Sequence, residues 1–274
     1  MSSDLIVALE MISQRFRLKY CRQITKKMAE LPKTLEDAIA QACEATKAAL
    51  ADGHTRLCVE LVFPELKAMP IAEQFLPTFE GMQLKVFFPD TGAAALARRD
   101  WKPETFKIDD IGTGRTPIAD KLAPEDEVFL LIEPSAVEVG EVEKLCNAAE
   151  GRPVVMLLPR LEDAATVGIG YAARQLRERF IKTLQSCYYI RPLEGAAVYR
   201  CYPSPWQVWL EVGDDYKLIA EADKRPAGEE LDRILFQATA PTPSDTSTSI
   251  EAAPQPKKPG VFKSLQRFLR ALSS

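Results

Sequence analysis

Between residues 28 and 237 short, almost unbroken apolar runs alternate with segments whose apolar positions recur every three or four residues. The runs "RLCVELVF", "QLKVFF", "DEVFLLIE" and "PVVMLL" have the length of strands and few polar positions, as strands covered on both faces do. "FKIDDIG" predicts a further, more polar strand. The intervening segments "LEDAIAQACEATKAAL", "IAEQFLPTFEG", "TGAAALARRDW", "AVEVGEVEKLCNAAEG" and "AARQLRERFIKTLQ" carry helical spacing. Thr34, followed by Glu36 and Asp37, is placed as an N-cap, and Asp90 and Ser135 can cap the helices that follow them. Strand and helix in alternation predict an α/β domain with a mostly parallel sheet flanked by helices. Pro64, Pro89, Pro134 and Pro159 follow four of the strands and mark their exits, because proline cannot donate to a ladder.

The pattern changes after residue 186. "CYYIRPLEGAAVYRCYPSPWQVWLEVGDDYKLIAEAD" is a series of strand-like runs cut by "LEG", "PSP" and "GDD", which predicts a C-terminal antiparallel meander, either extending the sheet or packed beside it. "AGEELDRILFQ" predicts a last helix. Residues 238–260 are rich in Pro, Ser, Thr and Ala and predict a disordered linker. Beyond it, Phe262, Leu265, Phe268, Leu269 and Leu272 fall at helical spacing, with Lys263, Arg267 and Arg270 on the flanks and opposite face. This predicts a basic amphipathic helix over 261–272, which becomes stable when its apolar face is buried on a membrane surface or in a partner's groove. The organisation is thus a basic extension at 1–27, an α/β domain at 28–237, a linker and a terminal helix.

Charge sharpens this division. The formal net charge is −4. The last 18 residues hold five bases and no acid, and the first 27 hold six bases against two acids, which leaves the body between them at −13. An acidic body with basic ends does not suit nucleic-acid binding, which needs a basic face on the folded domain. It suits ends that touch an anionic surface. Six cysteines have no Cys-x-x-Cys spacing, and several sit in apolar runs; they predict buried, reduced thiols in a cytosol-like compartment. The chain contains no apolar run of spanning length and no secretory signal pattern.

Motifs for common chemistries are missing. The one histidine, His54, precedes a strand in a turn and predicts a structural or solvated role, which leaves no catalytic triad or histidine metal site. "GTGRTP" fails the dinucleotide pattern at Pro117, and "GIGYAA" lies about nine residues beyond its strand, too far for a tight strand-to-helix turn. No phosphate loop of the kinase kind occurs. No cofactor is expected. What remains is the carboxyl edge of the sheet, where Asp90, Thr91, Glu133, Ser135 and Arg160 would gather; these are candidate ligand contacts or helix caps. Tyr188, Tyr189, Tyr199, Tyr202, Trp206 and Trp209, interleaved with Arg191 and Arg200, read first as core and second as a protein-binding surface.

Several of these segments together resemble a known family. "PVVMLLPRLED", the helix "RQLRERF", the strand "YYIRPL" and a G-x-x-V-Y-R-x-Y-P-x-x-W run over 195–206 are similar to the domain of unknown function 1995 family of cyanobacteria and chloroplasts, and "LPKTLEDAIAQA" to its usual opening. The resemblance covers roughly residues 31–236. It implies a photosynthetic setting, since plant members include a low photosystem II accumulation protein regarded as an assembly factor at the thylakoid; it carries no catalytic residues to transfer. The expectation is a non-enzymatic accessory factor, peripherally held at the thylakoid, with photosystem subunits or assembly factors as partners. The alternative is an enzyme that binds a small molecule or nucleotide phosphate at the carboxyl edge of the sheet.

Overall fold

The computed structural model describes residues 30–112, 116–161, 171–213 and 215–239. The basic extension, the chain from residue 240 onward with its terminal helix, and the glycines Gly114, Gly168 and Gly170 lie outside the described residues. The elements in chain order are α1 (Leu35–Ala51), β1 (Arg56–Leu61), α2 (Ala68–Phe75), β2 (Leu84–Phe88), α3 (Thr91–Trp101), β3 (Lys107–Asp110), β4 (Val128–Ile132), α4 (Val139–Ala148), β5 (Val154–Leu157), α5 (Tyr171–Arg179), β6 (Gln185–Leu193), β7 (Ala196–Cys201), β8 (Trp206–Val212), β9 (Asp215–Ala222) and α6 (Glu229–Thr239). Short 3-10 turns occupy Leu76–Phe79, Ile118–Lys121 and Ile181–Thr183.

Local signals set several boundaries. The Thr34 hydroxyl accepts from the Asp37 N–H at 3.0 Å, and the Asp90 carboxylate accepts from the Ala93 N–H at 2.9 Å, each satisfying an orphan donor at the start of its helix. Pro77 gives α2 a 3-10 continuation in place of further α-helix. Residues 238 and 239, read from composition as linker, complete α6. The long helix expected over "AARQLRERFIKTLQ" is shorter: α5 stops at Arg179, and Phe180 leaves helical backbone and is fully buried. Burying a phenylalanine stabilises by about 1.5–3 kcal/mol. The helical preference of one residue is worth at most about 0.7 kcal/mol, so tertiary packing wins here.

Among the described residues one nine-stranded sheet has the order β3-β2-β4-β5-β1-β6-β7-β8-β9. The first six strands in that order are parallel, and β6 to β9 form the antiparallel meander, so the meander extends the sheet through β6. Right-handed crossovers place helices on a face set by the direction of travel. From β1 the chain moves toward β3 through α2 and α3, which cover one face. It returns toward β6 through the 3-10 turn at Ile118, α4 and α5, which cover the other. Helix α1 joins α2 and α3 and packs on β6 and β7. Its buried positions are mostly alanines, Ala38, Ala42, Ala45 and Ala49, which let it lie close to the sheet. Gln41 on α1 then accepts hydrogen bonds from the hydroxyls of Tyr188 at 3.1 Å and Tyr199 at 2.8 Å, fastening the helix to the meander.

The first face is one continuous apolar cluster, from Ala97 on α3 to Trp209 on β8. The second face holds two clusters. One lies under α4 and α5 and contains Phe87, Phe129 and Phe180; the other is small, with Tyr189, Val198 and Trp206 under Leu231 of α6. Of the aromatic run in the meander, Tyr188, Tyr189, Tyr199, Trp206 and Trp209 are buried, in keeping with a core role.

Candidate functional site at the carboxyl edge of the sheet

Two neighbouring strand pairs send their outgoing loops to opposite faces: β2 with β4, and β5 with β1. Such divergence opens a crevice beyond the carboxyl ends of the strands, the usual ligand position in sheets of this kind. The backbone is strained around the second crevice. Glu65, Glu133 and Leu158, which follow β1, β4 and β5, all have left-handed φ, at 63°, 51° and 54°. None is glycine, and a leucine there is unusual. Glu133 and Leu158 each precede a proline, which favours extended backbone before it. Residues held this way persist where the surroundings over-determine them, often at binding sites. Here the loops after β4 and β5 lock together: the Glu133 N–H donates to the Leu157 carbonyl, the Arg160 N–H donates to the Pro134 carbonyl, and Ser135 and Arg160 form a parallel bridge.

The structure divides the five edge residues expected from sequence. Glu133, Ser135 and Arg160 come together. The Arg160 guanidinium lies 2.8 Å from the Glu133 carboxylate, and the Ser135 hydroxyl donates to Glu138 at 2.6 Å while accepting from the Val137 N–H at 3.1 Å. Ser135 is not the cap expected from sequence: the N-cap of α4 is Glu138, and Ser135 closes the turn ahead of it. Asp90 and Thr91 are engaged elsewhere. Asp90 caps α3, and the Thr91 hydroxyl donates to Asp110 at 3.3 Å. Asp110 in turn holds Lys121 at 3.0 Å, and Asp109 faces both Lys121 at 3.5 Å and the buried Lys85 at 3.4 Å. Gly112, with φ of 83°, passes so close that a Cβ would sit 3.2 Å from Asp110 Oδ1. No hydrogen bond or ion pair joins Asp90 or Thr91 to Glu133, Ser135 or Arg160 among the described residues.

Two cavities meet at Arg160. One, of about 440 Å³, follows the loops after β1 and β5, past Phe63 and Leu158. The other, of about 300 Å³, lies on the second face over β1 and β6, between its two apolar clusters. Both are bordered by Glu60, Pro159 and Arg160. The smaller one is walled by Leu184 and Ile181 on one side and by Trp206 and Arg225 on the other. Glu60 points into this gap. Its carboxylate lies 3.4 Å from the Ser186 hydroxyl and 3.6 Å from Arg225. A bulge in β6 helps form the gap: the register shifts between Cys58 and Val59, so Cys187 is the extra residue and joins the first face.

Sequence reasoning missed Glu60, Ser186 and Arg225. Glu60 had a readable signal, a lone charge inside an otherwise buried strand, which must find a partner or a cavity. Lys85 is the same signal in β2, and it also points to the second face. Ser186 and Arg225 are far from Glu60 in sequence; the pairing of β1 with β6 brings Ser186 near it, and the chain after β9 returns Arg225 over Tyr189 of β6.

Reactive groups are quiet in this region. Cys58, on the cavity floor, is pushed well above the usual thiol range by burial, and Cys146, Cys187 and Cys201 are pushed up to about 12 for the same reason. Buried thiols of this kind are poor nucleophiles. His54 has a structural setting, 3.2 Å from the Tyr202 hydroxyl, which itself donates to Asp52 at 2.8 Å. Among the described residues no helix is long and apolar enough to cross a membrane, and no group of three or more His, Cys, Asp or Glu side chains is placed to hold a metal. The arrangement can bind and orient a polar ligand between arginines and a carboxylate. Compared with known families, residues 32–233 match the one described as Domain of unknown function (DUF1995).

Proposed function

This chain belongs to the Domain of unknown function (DUF1995) family, and from that premise we propose that it is a non-enzymatic accessory factor for photosystem assembly or maintenance, with photosystem II as the main client, acting at the thylakoid surface. The family match carries this reading, because it covers the α/β body rather than a fragment, and plant proteins of the same family include the low photosystem II accumulation protein. The chemistry of the body is compatible with a binding role: its buried thiols are driven away from reactivity, and its carboxyl edge offers a shaped cleft. The basic segment at 257–274 would bring the acidic body to an anionic surface. Each base near such a surface is worth about 1 kcal/mol, so five of them raise local concentration without fixing the protein permanently.

Affinity capture from a photosynthetic membrane extract tests the partner. Photosystem II subunits or their assembly factors should be retained by the full chain and released by high salt; their absence from the retained fraction would overturn the reading. Flotation with liposomes containing anionic thylakoid lipids tests the location. The full chain should float and a chain truncated at Gln255 should not.

A further inference from the structure

The second-face cavity is not needed for the photosystem reading, and its lining points to a different capacity. We propose that it is a binding site for a small sugar phosphate, with the phosphate held by Arg225 and Arg160 and the hydroxyls by Glu60 and Ser186.

Arg225 supplies the first reason. Among the described residues its guanidinium makes no hydrogen bond; it rests over the Tyr189 ring at 5.4 Å and faces Glu60 at 3.6 Å. It is therefore oriented by stacking while its fork of donors stays available, which is the form in which arginine recognises phosphate. Arg160 borders the same cavity and is 70% exposed in its pair with Glu133, so it can turn toward an anion at little cost. Arg200 adds to the positive character. Its guanidinium lies 5.3 Å from the Trp206 ring, on the cavity wall, and its Nε is buried without a hydrogen-bond partner among the described residues. These cations stand together on a body whose net charge is −13.

The remaining lining selects what carries the phosphate. A carboxylate acts only as an acceptor, and a serine hydroxyl as donor and acceptor, so Glu60 and Ser186 suit hydroxyl groups. Trp206, Leu184 and Ile181 give apolar walls against which the carbon face of a sugar can lie. A cavity of about 300 Å³ admits a monosaccharide phosphate, and the adjoining space of about 440 Å³ leaves room for a substituent.

Titration calorimetry of the full chain with triose, pentose and hexose monophosphates tests this, alongside inorganic phosphate and unphosphorylated glucose. At least one sugar phosphate should bind saturably at millimolar concentration or below and alter Trp206 fluorescence, a change that disappears in Trp206→Phe. Arg225→Ala should weaken that binding about tenfold or more, with Arg225→Lys intermediate. Glu60→Gln should weaken it several-fold, and Arg99→Ala, on the exposed face of α3, should leave it unchanged. Near-UV circular dichroism checks that each variant is folded. The proposal is overturned if no sugar phosphate binds, if inorganic phosphate binds as tightly as the esters, or if folded Arg225→Ala binds like the parent. The last result would assign the affinity to the basic tail.

Discussion

On one face of the sheet, α1, α2 and α3 bury a single apolar cluster that runs without a break under all three helices, and its polar groups, such as the Tyr188 and Tyr199 hydroxyls, are gathered on Gln41. On the other face, α4 and α5 cover one cluster and α6 a second, and between them the floor is Cys58, Glu60 and Ser186. Both faces belong to the same strands, so backbone pairing is common to the two and only side chains and coverage differ. A continuous cluster maximises apolar area removed from water and serves stability. A gap forfeits contacts and must hold polar groups in partial contact with solvent, a cost that binding can justify. The strained exit at Leu158 borders the neighbouring cavity, and Glu133 pairs with Arg160, which borders both. The first face is thus closed throughout, while the second combines a buried core with a polar gap.

The largest effect should come from alkaline titration. Burial raises the thiols of Cys58, Cys146, Cys187 and Cys201 from 9.0 and the hydroxyls of Tyr188 and Tyr199 from 10.0. The folded state then keeps protons that the unfolded chain releases. This stabilisation is complete below pH 9 and is lost as pH rises through the raised folded-state values, which for Cys146, Cys187 and Cys201 are about 12, at on the order of 1 kcal/mol per pH unit for each titrating group. Urea midpoints should fall steeply over that window. Four of these six groups lie in the first-face cluster, so Tyr199→Phe should remove one of the tyrosine contributions and flatten the slope, with Tyr188 the other. A flat profile would show that the first face is looser than its packing indicates.

Gln41→Leu comes next. It strips two buried hydroxyls of their acceptor and should cost about 2 kcal/mol in urea denaturation. A much smaller loss would mean that the two hydroxyls find another partner. Leu231→Ala probes the small cluster. Leu231 is only half-buried, so about 1 kcal/mol is expected; amide exchange should quicken in α6 while α1 is unchanged. Equal changes in both helices would merge the two faces into one cooperative unit. Smallest is Glu60→Gln, expected to shift stability by less than about 1 kcal/mol because its contacts with Ser186 and Arg225 are long and the side chain reaches solvent. A loss as large as that of Gln41→Leu would make the gap a structural strut.

Much of the fold was legible because its signals are local. Thr34 and Asp90 announced their helices, the apolar runs announced buried parallel strands, and the prolines marked the exits. The edge site was half legible. Glu133 and Arg160 follow strands that are adjacent in the sheet, so a rule about strand exits sufficed to group them. Asp90 follows the same rule, yet its carboxylate was claimed by the Ala93 N–H, a competition that exit position alone cannot resolve. Phe180 was misjudged because helical spacing continues through it, while its side chain is drawn into the core.

By itself the sequence determined the alternation of elements, the separation of an acidic body from basic ends, the change to a meander after residue 186, and the family. These depend on the period of apolar positions, on caps and on charge, all of which act over a few residues. Only the tertiary structure decided that β1 lies between β5 and β6, that a bulge at Cys187 parts the second face, and that Glu60, Ser186 and Arg225 meet there. Those facts depend on strand pairings between residues 98 to 129 positions apart, and no local preference encodes which distant strand a given strand will accept.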